Sequence, residues 1–204
     1  IDSAHSASFT LTGNIVTTSA NDHTIGSNIV VSGTRQVNLN GSKNILLSGN
    51  LSGSGSLTQT AGGTGAKSIT FSGDNSGFTG TFIQTNDGNN RTAFSVATAG
   101  SSAAAWDLRR DVAGGVALNF GAGTIHFGSL TGGAQIRNNG ASTTTVSVGE
   151  LNTNTTFSGG FRTNTSTTNI ALTKVGSGTL TLSGSNLHTA ATTVNNGTLI
   201  LTGT

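Results

Sequence analysis

One phrase occurs twice in this chain, and a chain that repeats itself is built to stack. Leu172-Thr173-Lys174-Val175-Gly176-Ser177-Gly178-Thr179-Leu180-Thr181-Leu182-Ser183-Gly184-Ser185-Asn186 answers Leu57-Thr58-Gln59-Thr60-Ala61-Gly62, which resumes at Ile69-Thr70-Phe71-Ser72-Gly73-Asp74-Asn75. Leu57 and Leu172 lie 115 positions apart and Ser72 and Ser183 lie 111 apart, so the earlier copy carries four extra residues in its glycine-rich middle. Upstream, Leu47-Ser48-Gly49 pairs with Phe157-Ser158-Gly159 at an offset of 110. That offset is too long for one unit of the roughly 20–45 residues typical of solenoid repeats and suits several coils. Related units run over about 45–82 and 155–203, within what reads as one continuous segment, 1–204.

Between the repeats the dominant pattern is period-2 alternation. Val37/Leu39, Ile45/Leu47, Ile69/Phe71, Phe94/Val96, Val116/Leu118, Val146/Val148 and Leu199/Leu201 are separated by Thr, Ser, Asn or other single residues. Such pairs put apolar side chains on one face of a short strand. Thr supplies a β-branched filler that favours extended backbone. Asn40-Gly41, Asp87-Gly88, Asn139-Gly140 and Asn196-Gly197 read as corners, where glycine supplies a positive φ. The one helical candidate is Ser101–Arg110, with Ala103-Ala104-Ala105-Trp106. The fold class is all-β. Short strands at this spacing also fit a sandwich or barrel. The long repeat, the heavy use of Gly, Ser, Thr and Asn, and the confinement of the insertion near Gly62–Ser68 to a turn favour a parallel β-solenoid.

Composition removes several function classes. Only 8% of residues are charged and the net charge is +2, so a pI of 9.7 reflects nine bases against seven acids. The one adjacent basic pair, Arg109-Arg110, is flanked by Asp107 and Asp111, which is not the dense basic stripe a nucleic-acid binder needs. With no cysteine there is no disulfide framework and no thiolate metal site. Nothing approaches a membrane-spanning apolar run, and Ile1 does not open a signal peptide.

Candidate chemistry is sparse. Gly73-Asp74-Asn75-Ser76-Gly77 approximates a serine-protease motif, but the intervening Asn puts nucleophile and oxyanion amides out of register, so it reads as a β-turn. Asp2, Asp22, Asp74, Asp87, Asp107, Asp111 and Glu150 are too dispersed for a glycosidase pair. His5, His23, His126 and His188 lack ligand spacing, so no metal is expected; alternation turns His126 outward. Gly62-Gly63-Thr64-Gly65-Ala66-Lys67-Ser68 lacks the helix a phosphate loop requires. The charged knot Asp107, Arg109, Arg110 and Asp111 beside the sole Trp106 has two readings. It is a salt-bridged loop with Trp106 on the solenoid flank, or a polysaccharide or partner contact.

The phrase from Leu172 to Asn186, followed by Thr192-Thr193-Val194-Asn195-Asn196-Gly197-Thr198-Leu199, closely resembles the autotransporter-associated β-strand repeat, also called the passenger-associated transport repeat. The motif positions are Leu57, Ser72, Gly73 and Asn75 in the first copy. In the second they are Leu172, Gly178, Leu180, Leu182, Ser183, Gly184, Asn186 and Gly197. Leu187-His188-Thr189-Ala190 departs from the usual aromatic-Thr-Gly, which the first copy keeps as Phe78-Thr79-Gly80. The resemblance implies a right-handed parallel β-helix with short strands and Gly/Asn/Ser corners. It implies export by a Gram-negative-type bacterium and residence outside the cell or at its surface, associated with the outer membrane, with no catalytic centre and no cofactor. About 20–25 residues per coil gives roughly eight to ten coils. Open edges at both ends lead us to expect continuation into more helix or end-to-end self-stacking into fibres. A polysaccharide-binding or polysaccharide-cleaving β-helix is the alternative.

Overall fold

A computed structural model of the chain describes residues 7–41, 44–62, 65–85, 89–109, 115–163 and 169–203. Asp2, His5, Asp87, Gly88, Arg110, Asp111 and the Gly63-Thr64 step of the glycine-rich run lie outside the described residues. Every described strand pair is parallel. Partners stand between 19 residues apart (Thr179 and Thr198) and 26 apart (Thr144 and Ile170). Strands paired to the strand one coil later can only be a stack, so the chain is a β-solenoid of about eight turns.

Each turn passes three faces. The first holds Ser8–Leu11, Asn28–Val31, Leu51–Ser52, the opening half of Gly123–Thr131, Thr144–Val148, Ile170–Lys174 and Thr192–Val194. The second holds Ile15–Thr17, Thr34–Leu39, Ser56–Ala61, Thr81–Gln84, the later halves of Ser101–Leu108 and Gly123–Thr131, Thr155–Phe157, Thr179–Leu182 and Thr198–Leu201. The third is a seven-stranded sheet of His23–Ile25, Ile45–Leu47, Ala66–Phe71, Asn89–Phe94, Val116–Leu118, Gln135–Asn138 and Gly160–Thr163. Ser101–Leu108 and Gly123–Thr131 run unbroken round the corner between the first two faces, with a register shift between Ser101 and Ala105. That bulge bends the strand.

Alternation fills the interior as expected. Val37, Leu39, Ile69, Phe71, Phe94, Val116, Leu118, Val146, Leu172, Leu180 and Leu182 are all buried. The middle coils hold an aromatic column. Trp106 meets Phe71, Phe78, Phe82, Phe94 and Phe127 at centroid distances of 5.4–6.4 Å. Among the described residues the end coils have a neighbour on one side only. Phe9 is exposed in the first, and Leu187, Val194 and Leu201 in the last.

Three expectations need correction. Ser101–Leu108 is a strand, and a turn of 3-10 helix, Ala97–Ala99, lies just before it. Register holds Trp106 between Phe82 and Leu130, and ladder and core together override the alanine preference for helix. The strand Ala66–Phe71 takes in Ala66-Lys67-Ser68, so those residues are not part of a turn insertion. The glycines at corners serve two ends. Gly197 does have a positive φ of 70°, but Gly41 and Gly140 do not. A Cβ on Gly41 would fall 2.1 Å from the Ser19 carbonyl oxygen, and on Gly140 1.8 Å from that of Phe120. There glycine is needed because successive coils touch backbone to backbone.

Candidate functional site

The repeat's own residues make the best-defined local structure. Leu172 ends up on the first face and Leu180 and Leu182 on the second, whereas Leu57 sits on the second and Phe71 on the third. The two copies are therefore displaced by one face. The phrase encodes strand, corner, strand, and it fits either corner.

Beneath each copy lies the shorter phrase that the sequence pairs. Ser72 N–H donates to the Leu47 carbonyl at 3.0 Å, and Ser183 N–H donates to the Phe157 carbonyl at 3.0 Å. Leu47-Ser48-Gly49 and Phe157-Ser158-Gly159 are thus the same corners one coil earlier. Asparagine ties these corners together. Asn28 Oδ1 accepts the Asn50 N–H and Asn50 Oδ1 accepts the Asp74 N–H, both at 2.9 Å. Asn75 is fully buried, accepting from Leu51 N–H at 2.7 Å and donating to the Ala99 carbonyl at 2.9 Å. It thereby bridges the coil below and the coil above. Asn186 donates to Gly184 O within its own corner.

Lys174 closes the corner after the strand Ile170–Lys174. Its side chain is buried, and Nζ donates to the carbonyls of Val175 at 2.5 Å, Gly176 at 2.8 Å and Asn196 at 3.3 Å. Burial pushes its pKa below the usual lysine value, and the charge of Glu150 opposes that shift. In the first copy the equivalent position is Gln59, also buried. It donates to the Arg91 carbonyl at 2.6 Å and accepts from Thr92 Oγ1 at 2.8 Å. Both side chains satisfy corner carbonyls or neighbouring groups that an apolar residue would strand.

Segment 172–201 is matched by the family model described as the passenger-associated-transport-repeat. No curated protein and no solved structure matches the chain. Within this segment Leu172, Leu180 and Leu182 are core, Lys174 is the internal corner clamp, and Gly178 and Gly184 are contact points between coils. A Cβ on Gly178 would meet Thr153 O at 2.2 Å, and one on Gly184 would meet Gly159 O at 1.8 Å.

The remaining candidates fall apart or change character. Trp106 is 1% exposed, and its Nε1 donates to the Ser101 carbonyl at 3.2 Å, so the indole is a core side chain and not a flank or contact residue. Asp107 and Arg109 remain outside as an ion pair, with Arg109 Nε 2.8 Å from Asp107 Oδ2. That hydrogen bond holds the Arg109 proton more firmly than usual. Asp74 accepts the Ser76 N–H at 3.0 Å, and this bond, with a second to the Ser76 side chain, lowers the Asp74 pKa. That is an Asx turn within the segment that the sequence reads as a β-turn.

One cluster was not foreseen. His126 Nδ1 lies 2.8 Å from Glu150 Oε1, and Ser147 Oγ donates to the same oxygen at 2.9 Å. Alternation had turned His126 outward, but a partner 24 residues away is visible only once the coil length is known. The serine is bonded to the carboxylate and not to the imidazole, so the trio is no Ser-His relay. Among the described residues no three His, Cys, Asp or Glu side chains gather to hold a metal ion, and no helix is long and apolar enough to cross a membrane.

Proposed function

We propose that the chain is a structural segment of a secreted, surface-exposed autotransporter-like passenger, acting as a rod that presents or spaces surface material and not as a catalyst. The observation that carries this is the transport-associated repeat at 172–201 embedded in a continuous parallel stack. Such a stack derives its order from neighbouring coils, so it needs neither disulfide nor metal. Its last described coil leaves Val194 48%, Leu187 52% and Leu201 64% exposed. A further coil laid on that end would bury them, at about 25 cal/mol per Å² of apolar surface covered. The partner we propose for that end is another β-helical coil, in the same polypeptide or in a second copy, giving a fibre in the latter case.

Two measurements test this reading. Antibody against the segment should label intact cells of the source organism, and labelling only after lysis would overturn surface exposure. Electron microscopy of concentrated protein should show rods lengthening with concentration, and Val194→Asp with Leu201→Asp should shorten them to single units. Rods unchanged by both substitutions would contradict assembly through that end.

A further inference from the structure

The third face segregates charge in a way the sequence alone does not show. Its seven described strands contain no Asp or Glu, while Arg91, Arg137 and Arg162 all stand on its outward positions. Three of the chain's nine Lys and Arg residues thus share one flat surface. Among the described residues, the acids beside this face are Asp22 and Asp74, next to its first and third strands. Arg137 and Arg162 are directly paired in register, one coil apart. Arg91, paired with Ser68, lies two coils before Arg137 and two strand positions away, in line with Gln135. Between them the outward positions are small: Ala93 pairs with Ala117, and Ala117 with Arg137. Arg162 is held in place by Nε donating to Gln135 Oε1 at 2.5 Å.

Like charges facing each other across a ladder repel, and a bound anion makes the same arrangement favourable. Guanidinium groups bind carboxylates through paired N–H donors. Arg137 and Arg162 stand one coil spacing of about 4.8 Å apart, and Arg91 stands diagonally from them, two coils and two strand positions from Arg137, with small side chains between. This suits a linear polymer carrying one carboxylate per unit. Three cations are too few for the many phosphate contacts of a nucleic-acid site. The described strands of this face put no aromatic side chain outward for stacking bases or entering a bilayer.

We infer that the third face, from Asn89–Phe94 to Gly160–Thr163, binds an acidic polysaccharide through Arg91, Arg137 and Arg162. This differs from the contact patch expected around Trp106 and does not depend on end-on assembly. The test is affinity for alginate at low salt, with dextran as the neutral polymer and with duplex DNA and anionic lipid vesicles as rival ligands. Alginate should bind and dextran should not, and Arg91→Gln with Arg137→Gln and Arg162→Gln should weaken alginate binding at least tenfold. Arg91→Gln alone, at an exposed position, should weaken it severalfold even if the triple variant is poorly folded. The control Arg35→Gln, which removes charge elsewhere, should leave affinity unchanged. No alginate binding, equal loss in the control, unchanged affinity in Arg91→Gln, or tighter binding to DNA or vesicles would each overturn the proposal.

Discussion

Lys174 shows how a single side chain can set a corner. Its ammonium group is buried against the carbonyls of Val175, Gly176 and Asn196, so removing it strands acceptors that water cannot reach. Lys174→Met should cost about 1–3 kcal/mol in urea unfolding. The pH dependence has a definite sign. Burial lowers the folded-state pKa below 10.5, so above that lowered value the unfolded chain binds more protons than the folded one. Stability should therefore rise with pH up to about 10.5, and Lys174→Met should flatten that rise. Asn75→Ala should cost about 2–3 kcal/mol because it breaks a bridge spanning three coils. Asn186→Ala, which loses a bond within one corner, should cost less. Trp106 offers a spectroscopic check: its fluorescence should be blue-shifted and resist acrylamide quenching until the chain unfolds. A red, readily quenched native spectrum would return the indole to the surface.

At the scale of strands and corners, alternation carried most of the sequence reading. Val37, Leu39, Ile69, Phe71, Leu180 and Leu182 were placed inside because a period of 2 is local and needs no knowledge of neighbours. Corner chemistry was only half legible. Asn40-Gly41 reads as a positive-φ turn, yet its glycine is required by a carbonyl 22 residues earlier, a distance no local pattern encodes. The helix read at Ser101–Arg110 failed for the same reason, since what holds Trp106 in a strand is Phe82 below and Leu130 above. The third-face arginines were likewise scattered until coil lengths brought them together. Gly184→Ala should then cost about 3 kcal/mol, because its Cβ meets the Gly159 carbonyl. Gly13→Ala, with open space around it, should be neutral or stabilise by about 0.5 kcal/mol. Thermal unfolding of the two variants checks the contrast.

The whole molecule follows from the mismatch between the repeat and the coil. Copies offset by 111–115 residues fall one face apart, because coils of 19–26 residues do not divide that offset evenly. The repeat is a strand-corner-strand unit, which is why it states the architecture and leaves chemistry to the surfaces between. The fold and its faces depend on coil-to-coil register, and the absence of cysteine makes that register directly measurable. Thr156 and Thr181 are paired one coil apart on the second face. Their Cα atoms, about 4.8 Å apart in adjacent strands, lie within disulfide reach. Thr156→Cys with Thr181→Cys should close a disulfide under mild oxidation of the native chain, seen as a reductant-sensitive shift in mobility. Thr58→Cys with Thr156→Cys, several coils apart, should not. Failure of the paired positions to cross-link, or equal cross-linking in both variants, would contradict the solenoid.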